Sequence, residues 1–147
     1  MYNISLRILN NADEAADVLQ ESFIQAFERI KEFRQETTFG LWIKQIVVNK
    51  SISQLRKRRV EFVPIDDVVD FADEEPIDYE EIECQVKMVR EAIQRLPDGY
   101  RVVLSLYLLE GYDHEEISNV LKISENTSRT QFMRAKRKVL EILKNNV

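Results

Sequence analysis

One segment near the middle of the chain has a charge pattern that decides how the other residues can be organised. Residues 60–85 hold eleven acidic side chains and no basic one. Like charges at this density repel one another and resist burial in a core, and Pro64 and Pro76 disfavour regular structure in the same stretch. The sequence therefore predicts a linker at 60–85 between two domains, 1–59 and 86–147.

The two predicted domains are mildly basic, although the whole chain has a net charge of −5. Each block that flanks the linker has a net charge of +3, so the linker accounts for the negative total. This balance predicts only a modest attraction of either domain alone to phosphate. The linker is either a solvated tether or a segment that lies in a basic channel of a partner, and its sequence leaves both interpretations open.

The composition favours long helices in both domains. The 147 residues are 44% hydrophobic and include only three glycines and three prolines, too few for a sandwich or barrel rich in turns. We therefore expect an all-α fold of two small helical domains. A single cysteine, Cys84, excludes an internal disulfide framework and a thiolate zinc site, and a single histidine, His114, argues against metal catalysis or a His-based triad. No catalytic residue, metal or cofactor is predicted.

The sequence also lacks the usual signals for membranes and secretion. No apolar run approaches the roughly 18 residues needed to span a bilayer. The N-terminus lacks the basic and apolar regions of a signal peptide. We therefore predict a cytoplasmic protein with no membrane insertion.

The first domain begins with capping signals for a helix. Asn11 is suited to the N-cap, and Glu14 follows at the third helical position. The spacing predicts a helix over 12–33. Its predicted buried stripe consists of Val18, Leu19, Phe23, Ala26, Phe27 and Ile30. On another face of the same helix, spacings of three and four residues bring together Asp17, Gln20 and Glu21.

A second helix, over about 39–59, is predicted to begin with Thr38 as its cap. The first turns of this helix are apolar on several sides, which is typical of a helix enclosed by others. The helix ends in the basic run LRKRR. This basic helix end adjoins the aromatic residues Phe33, Phe39 and Trp42. Basic side chains next to aromatic rings suit the binding of single-stranded DNA, whose unpaired bases can stack on the rings. Trp42 is more simply interpreted as a core residue, whereas Phe33 lies in a loop and is more open to function.

The second domain contains the strongest functional pattern. Four helices are predicted, over 82–96, 100–110, 115–121 and about 125–143. Asp113 and Ser124 are the predicted caps of the last two helices, whose tight connection makes them a helix-turn-helix. The residues predicted to pack these two helices are Ile117, Val120, Leu121, Ile123, Val139, Leu140 and Leu143. His114 is interpreted as a surface or capping residue rather than a ligand.

The exposed face of the last helix suits the major groove of DNA. Arg can bind guanine through two hydrogen bonds, and Asn or Gln can bind adenine in the same way. The side chains predicted to face bases are Asn126, Thr127, Ser128, Arg129, Thr130, Gln131 and Arg134, and those placed to reach phosphates are Lys136, Arg137 and Lys138. A helix-turn-helix also occurs as plain scaffold. Here the tight turn, the suitable side chains and the basic tail coincide, so we predict DNA binding.

Taken together, these motifs resemble the bacterial RNA polymerase sigma factors of the extracytoplasmic-function type. The polymerase-binding helix of that family resembles ADVLQESFIQAF, its promoter-melting segment resembles FRQETTFGLWIKQIVVNKSISQLRKRR, and its −35-binding helix-turn-helix resembles LPDGYRVVLSLYLLEGYDHEEISNVLKISENTSRTQFMRAKRKVLEIL. The resemblance covers about 1–59, the second sigma region, and 86–147, the fourth. It implies a protein that binds core RNA polymerase and directs promoter-specific transcription initiation by reading the −10 and −35 elements.

The resemblance also implies partners and roles for individual residues. Asp17, Gln20 and Glu21 correspond to the residues that dock on the clamp helices of the polymerase beta-prime subunit. The −10 element of promoter DNA is assigned to Phe33, Arg34, Glu36, Thr37, Gln45, Asn49, Ser53 and Arg56, of which the loop residues and Asn49 surround a flipped base. The −35 element is assigned to Asn126, Thr127, Ser128, Arg129, Thr130, Gln131, Arg134 and Arg137. Further implied partners are the polymerase beta flap and an anti-sigma factor.

Several features depart from the pattern of this family. Gln45 and Gln131 stand where many relatives carry Arg, and Ser53 replaces a frequent Asn or Asp. The first helix of the family, which precedes MYNISLRIL, is absent from this sequence. The apolar sides of the helices within 1–30 and 39–55 are therefore expected to be partly uncovered, giving an interaction surface, a swapped dimer or marginal stability.

Two other functions stay open. An ordinary helix-turn-helix regulator, with 1–59 as a dimerisation or sensing domain, would bind duplex DNA alone at a palindromic site. A truncated sigma-like interaction protein would instead titrate polymerase or an anti-sigma factor. An enzyme is least expected, because the sequence has no triad, metal set or glycine-rich phosphate loop.

Overall fold

A computed structural model describes residues 1–58 and 82–145, which divide between two compact units. All regular structure within these ranges is helical, which confirms the predicted all-α fold. Most of the predicted linker at 60–85 lies outside the described residues. No helix in the described part of the chain has the length and apolar character needed to cross a bilayer.

The first unit contains three helices: α1 (Tyr2–Leu9), α2 (Ala12–Glu28) and α3 (Phe39–Lys57). The predicted caps are confirmed. The Asn11 side chain accepts a hydrogen bond of 3.0 Å from the Glu14 N–H, and the Thr38 hydroxyl accepts one of 3.3 Å from the N–H three residues later. Between α1 and α2, Asn10 adopts a left-handed conformation with φ of 50°, which Asn tolerates better than most residues. α2 is shorter than predicted, because a 3₁₀ turn at Ile30–Glu32 replaces its last part.

The three helices of the first unit pack against one another around a small core. Its fully buried side chains include Ile8, Leu9, Val47, Val48, Ile52 and Leu55. Two buried serines lie in this core, with the hydroxyl of Ser5 on α1 2.9 Å from that of Ser51 on α3. The Ser51 hydroxyl donates to the Val47 carbonyl oxygen at 2.7 Å. Because Ser51 has only one hydroxyl proton, Ser5 is the donor in the pair, and this bond ties α1 to α3.

The buried face of α2 differs from the predicted stripe. Of the six residues in that stripe only Val18 and Ala26 are fully buried, while Phe23, Phe27 and Ile30 are 38%, 73% and 46% exposed. The residues that α2 buries are Ala15, Val18, Ser22 and Ala26. These small side chains allow α2 to lie close to its neighbours, which turns the large side chains outward. On α3, Phe39 and Leu41 are 45% and 50% exposed as well.

The second unit contains four helices: α4 (Ile82–Gln94), α5 (Asp98–Leu108), α6 (His114–Leu121) and α7 (Glu125–Asn145). α7 packs against α4 and α5. The main buried side chains are Ala92, Ile93, Leu96, Val102, Val103, Leu104, Leu106, Ile117, Phe132, Ala135 and Val139. Leu140, which was predicted to face the core, is 55% exposed, because Val139 occupies the inward position of that turn.

A buried arginine closes the connection between α4 and α5. The side chain of Arg101 is only 2% exposed. Its guanidinium donates to the Leu96 carbonyl oxygen at 3.2 Å and forms an ion pair with the Asp98 carboxylate. Hydrogen bonding of this kind is what permits a cation to be buried in a small helical core.

Candidate nucleic-acid interface

The helix-turn-helix is built by two local capping arrangements. Before α6, the Glu116 N–H donates to the Asp113 carboxylate at 2.8 Å, and the Asp113 N–H donates to the Glu116 carboxylate at 2.9 Å, a reciprocal capping box. At the start of α7, the Ser124 hydroxyl accepts a hydrogen bond of 3.0 Å from the Thr127 N–H. In the turn between the helices, Lys122 has a φ of 55°. The two predicted caps are thus confirmed, and they fix where α6 and α7 begin.

The front of α7 presents a polar, cationic surface. Asn126 and Arg129 are exposed, and Thr127, Thr130 and Arg134 are half-buried. The Arg129 guanidinium donates to the Glu125 carboxylate at 3.1 Å and to the Asn126 side-chain oxygen at 3.3 Å. A guanidinium has five N–H donors in a fixed fork, so these neighbours orient the group while donors are left for a ligand.

Two residues predicted to face DNA lie inside the unit instead. Ser128 is fully buried and Gln131 is 3% exposed. Both are on the stripe that also buries Phe132, Ala135 and Val139. A helix with 3.6 residues per turn cannot expose six consecutive residues, 126–131, on one face, so the predicted DNA contacts of Ser128 and Gln131 are corrected to packing positions.

His114 anchors α7 to the rest of the unit, a role that the sequence analysis missed. Its Nδ1 lies 2.8 Å from the Ser128 hydroxyl oxygen. The imidazole stacks on Tyr107 with ring centroids 4.7 Å apart, and it meets the edge of Phe132 at 5.7 Å. Burial, followed by the charge of Arg129, lowers the pKa of His114 below its ordinary value. Nothing in the local spacing indicates these contacts, because they join three helices.

The basic tail of α7 is partly engaged by its neighbours. Lys138 forms an ion pair of 3.2 Å with Glu141, and the Lys136 ammonium lies 5.9 Å from the ring centroid of Phe132. Arg137 is exposed. Of the three residues predicted to reach phosphates, Arg137 is therefore the most accessible.

On the first unit, α3 presents a polar face beside an aromatic cluster. Gln45, Asn49 and Ser53 are exposed and share one face at four-residue spacing, and Arg56 follows, half-buried. Arg34, Glu36 and Thr37 are exposed in the loop before α3. The structure thus brings the predicted −10 residues of the helix onto one surface.

The aromatic cluster consists of Phe33, Phe39 and Trp42. Its ring centroids are 5.3 to 5.8 Å apart. Phe33 and Trp42 are half-buried, and Phe39 is 45% exposed. Trp42, interpreted from the sequence as a core residue, is only half-buried and packs against Phe33 and Phe39.

The predicted docking face of α2 is open to solvent. Asp17, Gln20 and Glu21 are all exposed. Glu21 also lies 3.7 Å from the Lys50 ammonium on α3. Within the described ranges, His, Cys, Asp and Glu side chains form no group of three or more that could hold a metal ion.

Comparison with protein-family models matches both halves of the chain. Residues 1–61 match the model for sigma-70 region 2, and residues 87–139 match the model for sigma-70 region 4. The region 2 match precedes the region 4 match along the chain.

Individual relatives and a solved structure agree with this result. The RNA polymerase sigma-H factor of Pseudomonas aeruginosa is 30% identical over 150 residues, which cover 92% of this chain and 76% of that protein. The extracytoplasmic-function sigma factor SigM of Bacillus subtilis is 26% identical, covering 95% and 85% of the two chains. The sigma factor RpoE of Bartonella quintana, solved in complex with the anti-sigma factor NepR, has the same fold, with a TM-score of 0.63 at 22% identity over 97% of this chain and 89% of that one.

Proposed function

The chain belongs to the sigma-70 family of RNA polymerase sigma factors, in its extracytoplasmic-function group, and from this premise we propose the function of each of its parts. As a sigma factor it binds core RNA polymerase and directs transcription initiation at specific promoters. Residues 1–59 dock on the polymerase and capture the −10 element, residues 86–147 bind the −35 element, and 60–85 link them. Its relatives are sigma factors, a class of protein that is not enzymatic. The site of action is the cytoplasm, where the polymerase works.

The −35 element is read by the front of α7. Arg129 reads a guanine through its guanidinium, with Asn126, Thr130 and Arg134 contacting neighbouring bases or phosphates. Arg137 binds a backbone phosphate. The observation that supports this assignment is that Asn126, Arg129 and Arg137 are exposed on the second helix of the helix-turn-helix, while the opposite stripe is buried.

The −10 element is captured by α3 and the loop before it. Gln45, Asn49 and Ser53 face the element along the helix, and Arg56 contacts its backbone. The loop residues Phe33, Arg34, Glu36 and Thr37 enclose an unstacked base. Extruding a base from a duplex costs a few kcal/mol, which stacking on aromatic side chains, at about 1–3 kcal/mol per base, can offset.

Polymerase docks on the acidic and amide face of α2. Asp17, Gln20 and Glu21 are exposed together, so they are available to basic side chains of the beta-prime clamp helices. The second unit contacts the beta flap, and an anti-sigma factor competes for these surfaces. Because each domain has only a modest positive charge and the linker is acidic, DNA reading depends on assembly with the polymerase.

Transcription in vitro tests this function. Core polymerase with the purified chain is expected to select defined start sites from a promoter library, and the chain alone is expected to bind duplex promoter DNA weakly in a gel shift. Start sites that do not change when the chain is added would refute the proposal.

Two charge-reversal variants test the docking face. Glu21→Lys is expected to impair assembly with core polymerase, measured by co-purification, because it places a cation against the basic partner surface. Glu28→Lys makes the same charge change at another exposed position of α2 and serves as the matched control. Normal assembly of the Glu21 variant would show that the docking face lies elsewhere.

A further inference from the structure

The imidazole of His114 lies where α5, α6 and α7 meet in the second unit. The residue begins α6 and is half-buried. Its ring stacks on Tyr107 of α5 with an interplanar angle of 21°, and it packs at a steep angle against Phe132 of α7. Its Nδ1 is 2.8 Å from the hydroxyl oxygen of Ser128, which is fully buried in the first part of α7. The ring therefore holds the start of α7 against two other helices.

The residue after Ser128 is Arg129, to which guanine reading was assigned above. The Arg129 guanidinium donates to the Glu125 carboxylate at 3.1 Å and to the Asn126 side-chain oxygen at 3.3 Å. Both acceptors belong to the first turn of α7, which the contact between His114 and Ser128 holds in place. The orientation of the guanidinium therefore depends on His114, although the imidazole itself lies behind the exposed face.

Charge connects the imidazole to the same guanidinium. Burial and the charge of Arg129 lower the pKa of His114, while the carboxylates of Asp113 and Glu125 act in the opposite direction. A proton on the ring is therefore repelled by Arg129 and attracted by Glu125, the carboxylate that orients Arg129. Among the described residues, the titratable or charged groups that face the ring or its partners are the Tyr107 phenol on α5, the Asp113 carboxylate before α6, and the Glu125, Arg129 and Lys136 side chains on α7.

We propose that His114 is a proton-sensitive positioning residue for −35 recognition, whose neutral imidazole keeps Arg129 in its base-reading orientation and whose protonated imidazole releases it. The proposal rests on the function assigned above and adds a control residue to it. Protonation preserves the bond to Ser128, because a hydroxyl oxygen can accept from an imidazolium N–H. It places a second positive charge beside Arg129 and draws Glu125 away from the guanidinium. Base selectivity therefore falls with pH while α7 stays in place.

NMR of the free chain tests the coupling between the two side chains. The chain has one histidine, so its imidazole resonances belong to His114. As the pH falls below 6.5, the Nε–H resonance of Arg129 is expected to shift with the same midpoint as the imidazole. The resonance of exposed Arg137 on the same helix and that of Arg129 in His114→Gln are expected not to follow. An Arg129 resonance that ignores the imidazole titration in the wild-type chain would overturn the coupling.

Competition between two promoters in one reaction measures the selectivity of the holoenzyme. The promoters differ only at the −35 base pair whose contribution is lost in Arg129→Ala, and their bound ratio cancels any effect of pH on the polymerase. From about pH 7.5 to about pH 5.5, the range in which an imidazole changes charge, we expect the wild-type ratio to fall. The expected fall is about threefold, of the order that one added charge beside a solvated guanidinium supplies. His114→Asn keeps a neutral hydrogen-bonding side chain and is expected to give a ratio independent of pH.

Ser128→Ala tests the hydrogen bond. Without this hydroxyl the imidazole no longer fixes the first turn of α7, so the ratio is expected to be lower than in the wild type even at neutral pH. Ser118→Ala is the matched control, because the Ser118 hydroxyl donates to the Glu115 carbonyl oxygen within its own helix at 2.6 Å. An unchanged ratio in Ser128→Ala would show that the hydrogen bond does not position Arg129.

Three further outcomes would overturn the proposal. One is a wild-type ratio that does not change with pH. Another is stronger binding of both promoters at low pH with a constant ratio, which would identify His114 as a phosphate contact. The third is the same pH dependence in the wild type and in His114→Asn, which would assign the titration to another group. The NMR titration uses neither polymerase nor promoter, and selection of start sites requires no change of pH, so failure of the proposal and failure of the proposed function can be told apart.

Discussion

Replacing Ser51 by alanine is expected to lower the free energy of unfolding of the first unit by about 1–3 kcal/mol. In the folded chain the Ser5 hydroxyl donates to Ser51, because the Ser51 proton is directed at the Val47 carbonyl oxygen. Both serines are fully buried. The substitution thus leaves the Ser5 hydroxyl as a buried donor without its acceptor, and an unmade buried hydrogen bond costs about this amount.

The reverse substitution has a smaller expected effect. Ser5→Ala leaves the Ser51 hydroxyl still donating to Val47 at 2.7 Å, so only one hydrogen bond is lost, at about 0.5–1.5 kcal/mol. In the double variant no polar group of the pair is left, and replacement of both partners by apolar groups can be nearly neutral. We therefore expect Ser5→Ala/Ser51→Ala to be more stable than Ser51→Ala alone.

Chemical denaturation monitored by tryptophan fluorescence measures these differences in the intact protein. The chain has one tryptophan, Trp42, which lies half-buried on α3 and therefore reports on the first unit. A positive coupling free energy between the two serines confirms the paired hydroxyls. A double variant whose loss of stability equals the sum of the two single losses would refute the hydrogen bond between the serines, and equal losses in the two single variants would refute the assigned donor and acceptor.

Three further predictions concern exposed or titrating side chains. Arg129→Ala is expected to cost about 1–3 kcal/mol of promoter binding at one position of the −35 element, measured with holoenzyme on single-base promoter variants; equal weakening on every variant would exclude direct base reading. The lowered pKa of His114 means that the unfolded chain takes up this proton at a higher pH than the folded chain. Neutral His114 should therefore contribute to the stability of the second unit above pH 6.5, and this contribution should be lost as the pH falls below that value. In melts followed by circular dichroism, the melting temperature of His114→Gln should depend less on pH than that of the wild type, and an unchanged dependence would contradict the assignment. Phe27→Ser, at a side chain 73% exposed, is expected to change the unfolding free energy by no more than about 0.5 kcal/mol, and a loss several times larger would show that this face is covered in solution.

The features predicted correctly from the sequence are those set by local chemistry. The caps Asn11, Thr38, Asp113 and Ser124 all bond as expected. Each depends on a side chain and an N–H three residues later. Helix positions followed from the same signals, with errors of a few residues at the ends.

The errors arose where a helix has two plausible inward faces or meets a distant residue. On α2, the large rings of Phe23 and Phe27 suggested the buried stripe, but the helix packs closely through Ala15 and Ser22. On α7, the polar character of Gln131 suggested exposure, although it lies three residues from buried Ser128. Packing partners decide both cases, and hydrophobicity alone does not indicate them.

Along α7, buried and solvent-facing positions alternate within a single turn. Ser128 is held by His114 inside the unit, while Arg129 on the next position points to solvent. If the outward positions read the −35 element as proposed, changes there redirect the protein to a different promoter sequence without destabilising the packing of α7. Variants that prefer other promoter sequences should be obtained by randomising Asn126, Arg129 and Thr130 alone, with the buried positions of α7 unchanged.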